Sequence, residues 1–142
     1  MRRDEIFALA DRFLRAIEAN DRKTIEEVYS RDCVVWLNVD PLSNRKAGTP
    51  ARRGLESILR LPGLVTDLRY DVWHRELTET GYVEQHIFRA KLRDGTQIAR
   101  PHCVVCQVEA GQITRIDEYI LPLKVEDLER AIRGHLTEPP ID

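Results

Sequence analysis

Three side chains in this sequence, Glu84, His86 and Glu118, are of the types that move protons near neutral pH. A carboxyl group that apolar walls strip of water holds its proton more tightly and can then act as general acid or base near neutrality, where imidazole already titrates. Alternation along residues 82–92 puts Tyr82, Glu84, His86, Phe88, Ala90 and Leu92 on one strand face and Val83, Gln85, Ile87, Arg89 and Lys91 on the other. Arg89 and Lys91 mark the second face as the wet one, so Glu84 and His86 share the face that buries Phe88 and Leu92. Polar groups there need partners or a cavity. The same alternation turns Ile116, Glu118 and Ile120 inward and Arg115, Asp117 and Tyr119 outward. Three titratable groups converging on one apolar hollow point to a site, against the plainer reading in which Glu84 and His86 only hydrogen-bond across the sheet.

Around them stand an indole and an amide. The segment Cys33–Val39 alternates Val34, Trp36 and Asn38 against Cys33, Val35, Leu37 and Val39. Both sets are largely apolar, so the pattern leaves its orientation open and puts Asn38 at the pocket mouth either way. Residues 97–109 are similarly two-sided, and we place Cys103 inward. Cys103-Val-Val-Cys106 has CxxC spacing, but positions i and i+3 of a strand face opposite ways, which disfavours a redox pair. A zinc site built from His86, His102 and these thiols is set aside in favour of two buried structural cysteines. No metal and no organic cofactor is expected. Neither a phosphate-binding glycine motif nor a Gly-x-Ser-x-Gly elbow is present. Trp73 is expected to pack and His74 to face solvent. Arg45, Lys46, Arg52 and Arg53 read as a solvated rim that could steer an anionic substrate.

The elements that must position these groups follow from periodicity. Ile6, Leu9, Ala10, Phe13, Leu14 and Ile17 recur at spacings of three and four, giving an amphipathic helix over Asp4–Asn20. Asp21 can cap a second short helix running to Tyr29. A strand follows at 33–39, then a loop-like stretch at 40–54 and a short helix around Leu55, Ile58 and Leu59. Strands are expected at 67–75, 81–92, 97–109 and 112–120, joined by turns such as Arg93-Asp94-Gly95-Thr96. Helices collected before a run of hairpins define an α+β domain, a curved antiparallel sheet with helices across one face. Val125, Leu128, Ala131 and Ile132 mark a C-terminal helix at 124–136.

Composition bounds the rest. A chain of 142 residues is expected to form a single domain over 1–142, burying roughly 68% of its unfolded surface. With 22 basic and 24 acidic residues the net charge is −2, which gives no electrostatic footprint for nucleic acid or an anionic membrane. The longest apolar run, Cys33-Val34-Val35-Trp36-Leu37, is far short of the roughly 20 residues of a bilayer span. No signal peptide is read, and three cysteines suit a reduced, cytoplasmic setting without disulfides. Val83, Ile87, Val104 and Val108, on one orientation of the outer sheet face, expose more apolar surface than a monomer usually does, and a homodimer is expected.

The element order resembles a known family, as do Tyr29-Ser-Arg-Asp32-Cys-Val-Val-Trp36-Leu-Asn38, Asp67-Leu-Arg-Tyr70, Gln85-His86, Pro101-His-Cys103 and Gly111-Gln-Ile-Thr-Arg-Ile-Asp117-Glu118-Tyr119. It is the SnoaL-like proteins of the nuclear-transport-factor-2-like superfamily. The resemblance spans nearly the whole chain. It implies a cone-shaped α+β barrel with a deep apolar pocket, often dimeric through the sheet, and no single activity, since cyclases, isomerases, dehydratases, epoxide hydrolases and non-catalytic binders share it. Trp36-Leu-Asn38 and Asp117-Glu118-Tyr119 are similar to the Tyr-x-Asn and Arg-Asp-Tyr of limonene epoxide hydrolases, which would have Asn38 and Glu118 hold and activate a water. The Arg-x-Asp of those enzymes falls on Glu84-Gln-His86, however, and Trp36 replaces their tyrosine. Against ketosteroid isomerases, Phe13 stands at the oxyanion tyrosine, the second oxyanion acid falls near Cys103 and the base at Leu37 or Asn38, so that chemistry is not expected.

These readings converge on an enzyme that handles a small, mostly apolar metabolite by hydration, dehydration, isomerisation or epoxide opening. Glu118 is its base, His86 its proton donor or acceptor and Glu84 the group that tunes His86. Phe13, Trp36, Asn38, Phe88, Cys103, Ile116 and Ile120 line its pocket. The alternative is a binding or assembly module with the same pocket.

Overall fold

A computed structural model describes residues 1–39 and 45–120, which form three helices and six strands. The expected helix at 124–136 lies outside the described residues. Helix α1 (Arg3–Glu18) buries Ile6, Leu9, Ala10, Phe13, Leu14, Ala16 and Ile17, the stripe that the three-and-four spacing predicts. It stops at Glu18 rather than Asn20, where a left-handed φ of 55° turns the chain. Asp21 then caps α2 (Arg22–Val28) by accepting from the Thr24 backbone N–H at 3.1 Å. Tyr29 leaves the helix and opens β1 (Tyr29–Leu37), four residues earlier than expected, because it pairs with Ile113 and buries its ring against Phe13 at 5.4 Å.

The segment expected to be wholly loop contains a two-residue strand, β2 (Thr49–Pro50), at the edge of the sheet beside Val34 and Val35. Proline is tolerated there because an edge strand has an unpaired side. Helix α3 (Ala51–Leu59) and a 3-10 turn at Leu61–Gly63 lead into four hairpin-linked strands: β3 (Val65–Leu77), β4 (Gly81–Leu92), β5 (Gln97–Glu109) and β6 (Gln112–Tyr119). These bounds lie within about two residues of the sequence reading. The turn between β4 and β5 is the expected Asp-Gly one, with Gly95 at φ 88° and Asp94 accepting from the Thr96 N–H at 2.9 Å. At the start of β4 no residue but glycine fits, since a Cβ on Gly81 would stand 2.0 Å from the Cys106 carbonyl oxygen.

Strand order is β2-β1-β6-β5-β4-β3, an open, curved sheet. It is mixed rather than purely antiparallel, because β1 and β6 run parallel. The last hairpin strand slots beside the first strand, an arrangement that alternation within each strand cannot reveal. Two register shifts bend β3, one around Asp67, whose φ is 54°, and one at Trp73. Helices α1 and α3 lie against the sheet, α1 along β3 and α3 along β1, and one core joins α1, α2, α3 and the inward residues of the central strands. Among the described residues, no helix is long and apolar enough to cross a membrane.

Candidate functional site

Helices and sheet enclose a cavity of about 420 Å³. Its walls are Phe13, Leu14 and Ile17 of α1, Val35 and Leu37 of β1, Ile58 of α3, and the inward side chains of β3 to β6. Glu84, His86, Phe88, Ile116, Glu118 and Ile120 all reach it, as alternation predicts, and so does Phe13. Asp117 and Tyr119 lie on the other face, the register that alternation predicts for β6.

Three expected lining residues are elsewhere. Trp36 is 3% exposed but packs on the outer face, edge-on to Tyr119 at 5.6 Å and beneath the Arg45 guanidinium. Val35 and Leu37 take the cavity side. The strand is apolar on both faces because the Arg45 side chain covers Trp36 on its outer side, where Asp117 is held by Arg115 at 2.9 Å and Arg45 at 3.4 Å. Asn38 is a clamp instead: its Nδ2 donates to the Ile120 carbonyl at 2.9 Å and its Oδ1 accepts the Ile120 N–H at 3.0 Å. Cys103 lies opposite Gln85 on the outer face, in a shallow hollow with Pro101 and Trp73. Trp73, expected to pack, is 62% exposed, whereas His74 faces solvent as expected.

The cross-strand pairing His86↔His102 puts His102 where Cys103 was expected. A strand's two faces are exchanged by one residue of register, and residues 97–109 are too evenly apolar to fix it. His102 stacks on Phe88 with ring centroids 5.6 Å apart and meets the His86 ring edge-on at 5.5 Å. Its Nδ1 lies 3.3 Å from Glu118 Oε1, within ion-pair distance but without hydrogen-bond alignment. The nitrogens of the two histidines and the Glu118 oxygen all lie within 4.8 Å of one another, a donor set of the kind that can hold a metal ion.

Behind His86 is a chain of buried charge. His86 Nδ1 is 2.8 Å from Glu84 Oε1, with the two side chains 3% and 2% exposed. Glu84 Oε2 accepts from Arg75 Nε at 2.6 Å, and Arg75 also donates to Asp11 Oδ1 at 2.9 Å and to the Phe7 carbonyl at 3.3 Å. A carboxylate can only accept, so Nδ1 is the nitrogen that donates to Glu84, and Nε2 is the one left to meet another group. Nε2 has no hydrogen-bond partner among the described residues. The bulge at Trp73 inserts one residue and flips the parity of β3, which is how Tyr70 and Arg75 come to share the inward face. Counting back from the hairpin at Gly81, where Leu77 faces Tyr82, would have placed Arg75 opposite Glu84.

Tyr29, Tyr70 and Tyr82 complete the lining. Burial pushes all three hydroxyls well above the ordinary phenol value, so they remain neutral. Tyr70 also packs edge-on against His86, with centroids 4.9 Å apart. Burial likewise pushes the Cys33 thiol up to about 12 and the Cys106 thiol higher still. All three cysteines are free.

No family model matches this sequence, and no curated protein matches it. Solved structures do. A Mycobacterium tuberculosis epoxide hydrolase of the limonene-epoxide-hydrolase-like kind superposes with a TM-score of 0.69 at 18% identity, covering 94% of this chain and 93% of that one. TsrD from Streptomyces laurentii gives 0.71 at 13% identity over 92% and 96%. A Catenulispora acidiphila protein with a ketosteroid isomerase-like fold, in complex with trimethylamine, gives 0.64 at 10% identity over 78% and 83%. The chain therefore has the ketosteroid isomerase-like fold of the nuclear-transport-factor-2-like proteins, a cone built from a curved sheet and three helices.

Proposed function

We propose that the chain is a small-molecule enzyme that works by acid–base chemistry on a small, mostly apolar metabolite. The observation that carries this reading is His86: it lines an apolar cavity, Glu84 and Arg75 fix its ring from behind, and its Nε2 is buried with no hydrogen-bond partner among the described residues. In this scheme His86 Nε2 takes a proton from a substrate C–H, hydroxyl or water. Glu118, beside His102 on the next strands, moves the second proton that a hydration, dehydration, isomerisation or epoxide opening requires. A volume of about 420 Å³ suits a small ligand, at the lower end of the usual range for ligand clefts. The structural neighbour named an epoxide hydrolase supports chemistry of this class.

The near-complete burial of Glu84 and His86 favours a second reading, a binding module whose polar pair only shapes the pocket. A panel of small apolar epoxides, unsaturated ketones and tertiary alcohols separates the two. Under the enzyme reading at least one is turned over, and Glu118→Gln, nearly isosteric, lowers the rate by about 10²-fold or more while the fold is kept. Binding without turnover across the panel would sink it. We further propose that the outer sheet face, with Trp73, Val105 and Tyr119 exposed, pairs two copies of the chain.

A further inference from the structure

We propose that His86, His102 and Glu118 form a site for one divalent transition-metal ion of the zinc class, with an open coordination position on the cavity. Two imidazoles and a carboxylate are a donor set suited to zinc or its neighbours, whereas magnesium and calcium take oxygen ligands. Their ligating atoms already lie within 4.8 Å of one another. The 3.3 Å between His102 Nδ1 and Glu118 Oε1 is close to the roughly 3.4 Å that separates two ligands sharing a tetrahedral ion.

Two further observations point to an ion rather than to a polar cluster closed on itself. Among the described residues, His86 Nε2 and His102 Nδ1 are both buried without a hydrogen-bond partner, and the His86 side chain is 3% exposed. Such groups are costly in a folded protein unless something binds them. Glu84 meanwhile grips the opposite nitrogen of His86 at 2.8 Å, the carboxylate–histidine arrangement that orients metal-binding imidazoles and makes them better donors. Arg75 occupies the other Glu84 oxygen and so keeps that carboxylate behind the ring. Stacking on Phe88 fixes the plane of His102.

Three protein ligands leave a position free for water or a substrate oxygen, as in catalytic zinc sites. An ion there would polarise that oxygen, a role the acid–base reading leaves to side chains alone. The proposal competes with that reading, because His86 Nε2 and Glu118 cannot hold an ion and carry the reaction's protons at once, and it is tested without turnover. The full-length chain is stripped with a chelator and dialysed against zinc, or against cobalt(II) as a spectroscopic probe. The expected result is one ion per chain and intense visible d–d bands of cobalt in a nitrogen- and oxygen-ligated site of low coordination number. His102→Gln and Glu118→Gln should each lower affinity at least tenfold with the circular dichroism spectrum unchanged. His74→Ala and Cys103→Ser, both outside the cavity, should leave uptake unaltered.

Well under one ion per wild-type chain would overturn the proposal, as would uptake lost in His74→Ala or Cys103→Ser but kept in His102→Gln and Glu118→Gln. If some variant fails to fold, wild-type stoichiometry and the cobalt spectrum still decide. One ion per chain with no turnover on any compound would uphold this site and count against the acid–base reading. Turnover by zinc-free protein that binds no ion would do the reverse.

Discussion

Arg75 and Glu84 form an ion pair 9% and 2% exposed, and such a pair gives up nearly all its hydration on folding. Its value lies in what it orients, since Glu84 in turn holds His86. Removing one member leaves the other charge buried alone. Arg75→Met should therefore destabilise the chain by about 3–5 kcal/mol in urea unfolding. Adding Glu84→Gln should recover a good part of that loss, because the uncompensated carboxylate is gone. If the double variant were as unstable as the single one, the Arg75 guanidinium over the Phe7 ring would be the larger contribution. The thiols give a second test at this scale. With the Cys33 thiol pushed up to about 12 and Cys106 higher, almost none of either is thiolate at pH 8, and both are buried. In the native chain a disulfide reagent should label Cys103 first and reach the other two only on unfolding. Fast labelling of Cys106 would show that the cavity wall opens.

Elements decide which of these residues can meet. Asn38 continues β1 past its last ladder residue by using a side-chain amide as if it were backbone, holding Ile120 through two hydrogen bonds. Asn38→Ala should cost about 1–2 kcal/mol in thermal or chemical unfolding. Because the Asn38 side chain lies outside the cavity, ligand affinity should stay within a few fold; a large loss of binding at intact stability would return Asn38 to the pocket. The same strands show what a linear sequence can convey. On β4 and β6 charged residues mark one face and apolar ones the other, so the inward positions of Glu84, His86 and Glu118 were legible. On β1 and β5 they were not. An arginine laid over Trp36 and an exposed apolar outer face made both sides look alike, hiding His102 and misplacing Trp36 and Cys103. On β3 a bulge changes the parity ahead of Arg75, which no alternation rule foresees. Helix α1, with a single stripe and no such interruption, was readable almost to the residue.

At the scale of the whole molecule, the sheet uses both faces: one closes over the cavity and the other exposes Trp73 at 62%, Tyr119 at 44% and Val105 at 36%. The sequence reading expected Val83, Ile87, Val104 and Val108 there. Val104 instead lines the cavity, Val108 packs on the core, and Ile87 is buried, so Val105, Trp73 and Tyr119 carry the exposed apolar surface. Two copies related by a two-fold axis would cover this surface with itself, and a stable pair would bury at least about 1,000 Å² in all. Sedimentation equilibrium should accordingly give a dimer at micromolar concentrations. Val105 sits on β5 in the interior of the sheet order, so Val105→Lys puts one charge per chain, two like charges per dimer, into the proposed interface. Its side chain is exposed in the single chain, so the variant should keep its melting curve while shifting to monomer by tenfold or more in dissociation constant. Cys103 shares that face and supplies an independent readout: its labelling rate should fall as wild-type protein is concentrated and stay constant in Val105→Lys. A wild-type chain that sediments as a monomer, with Cys103 labelling independent of concentration, would show that this face is solvated and that the dimer does not form.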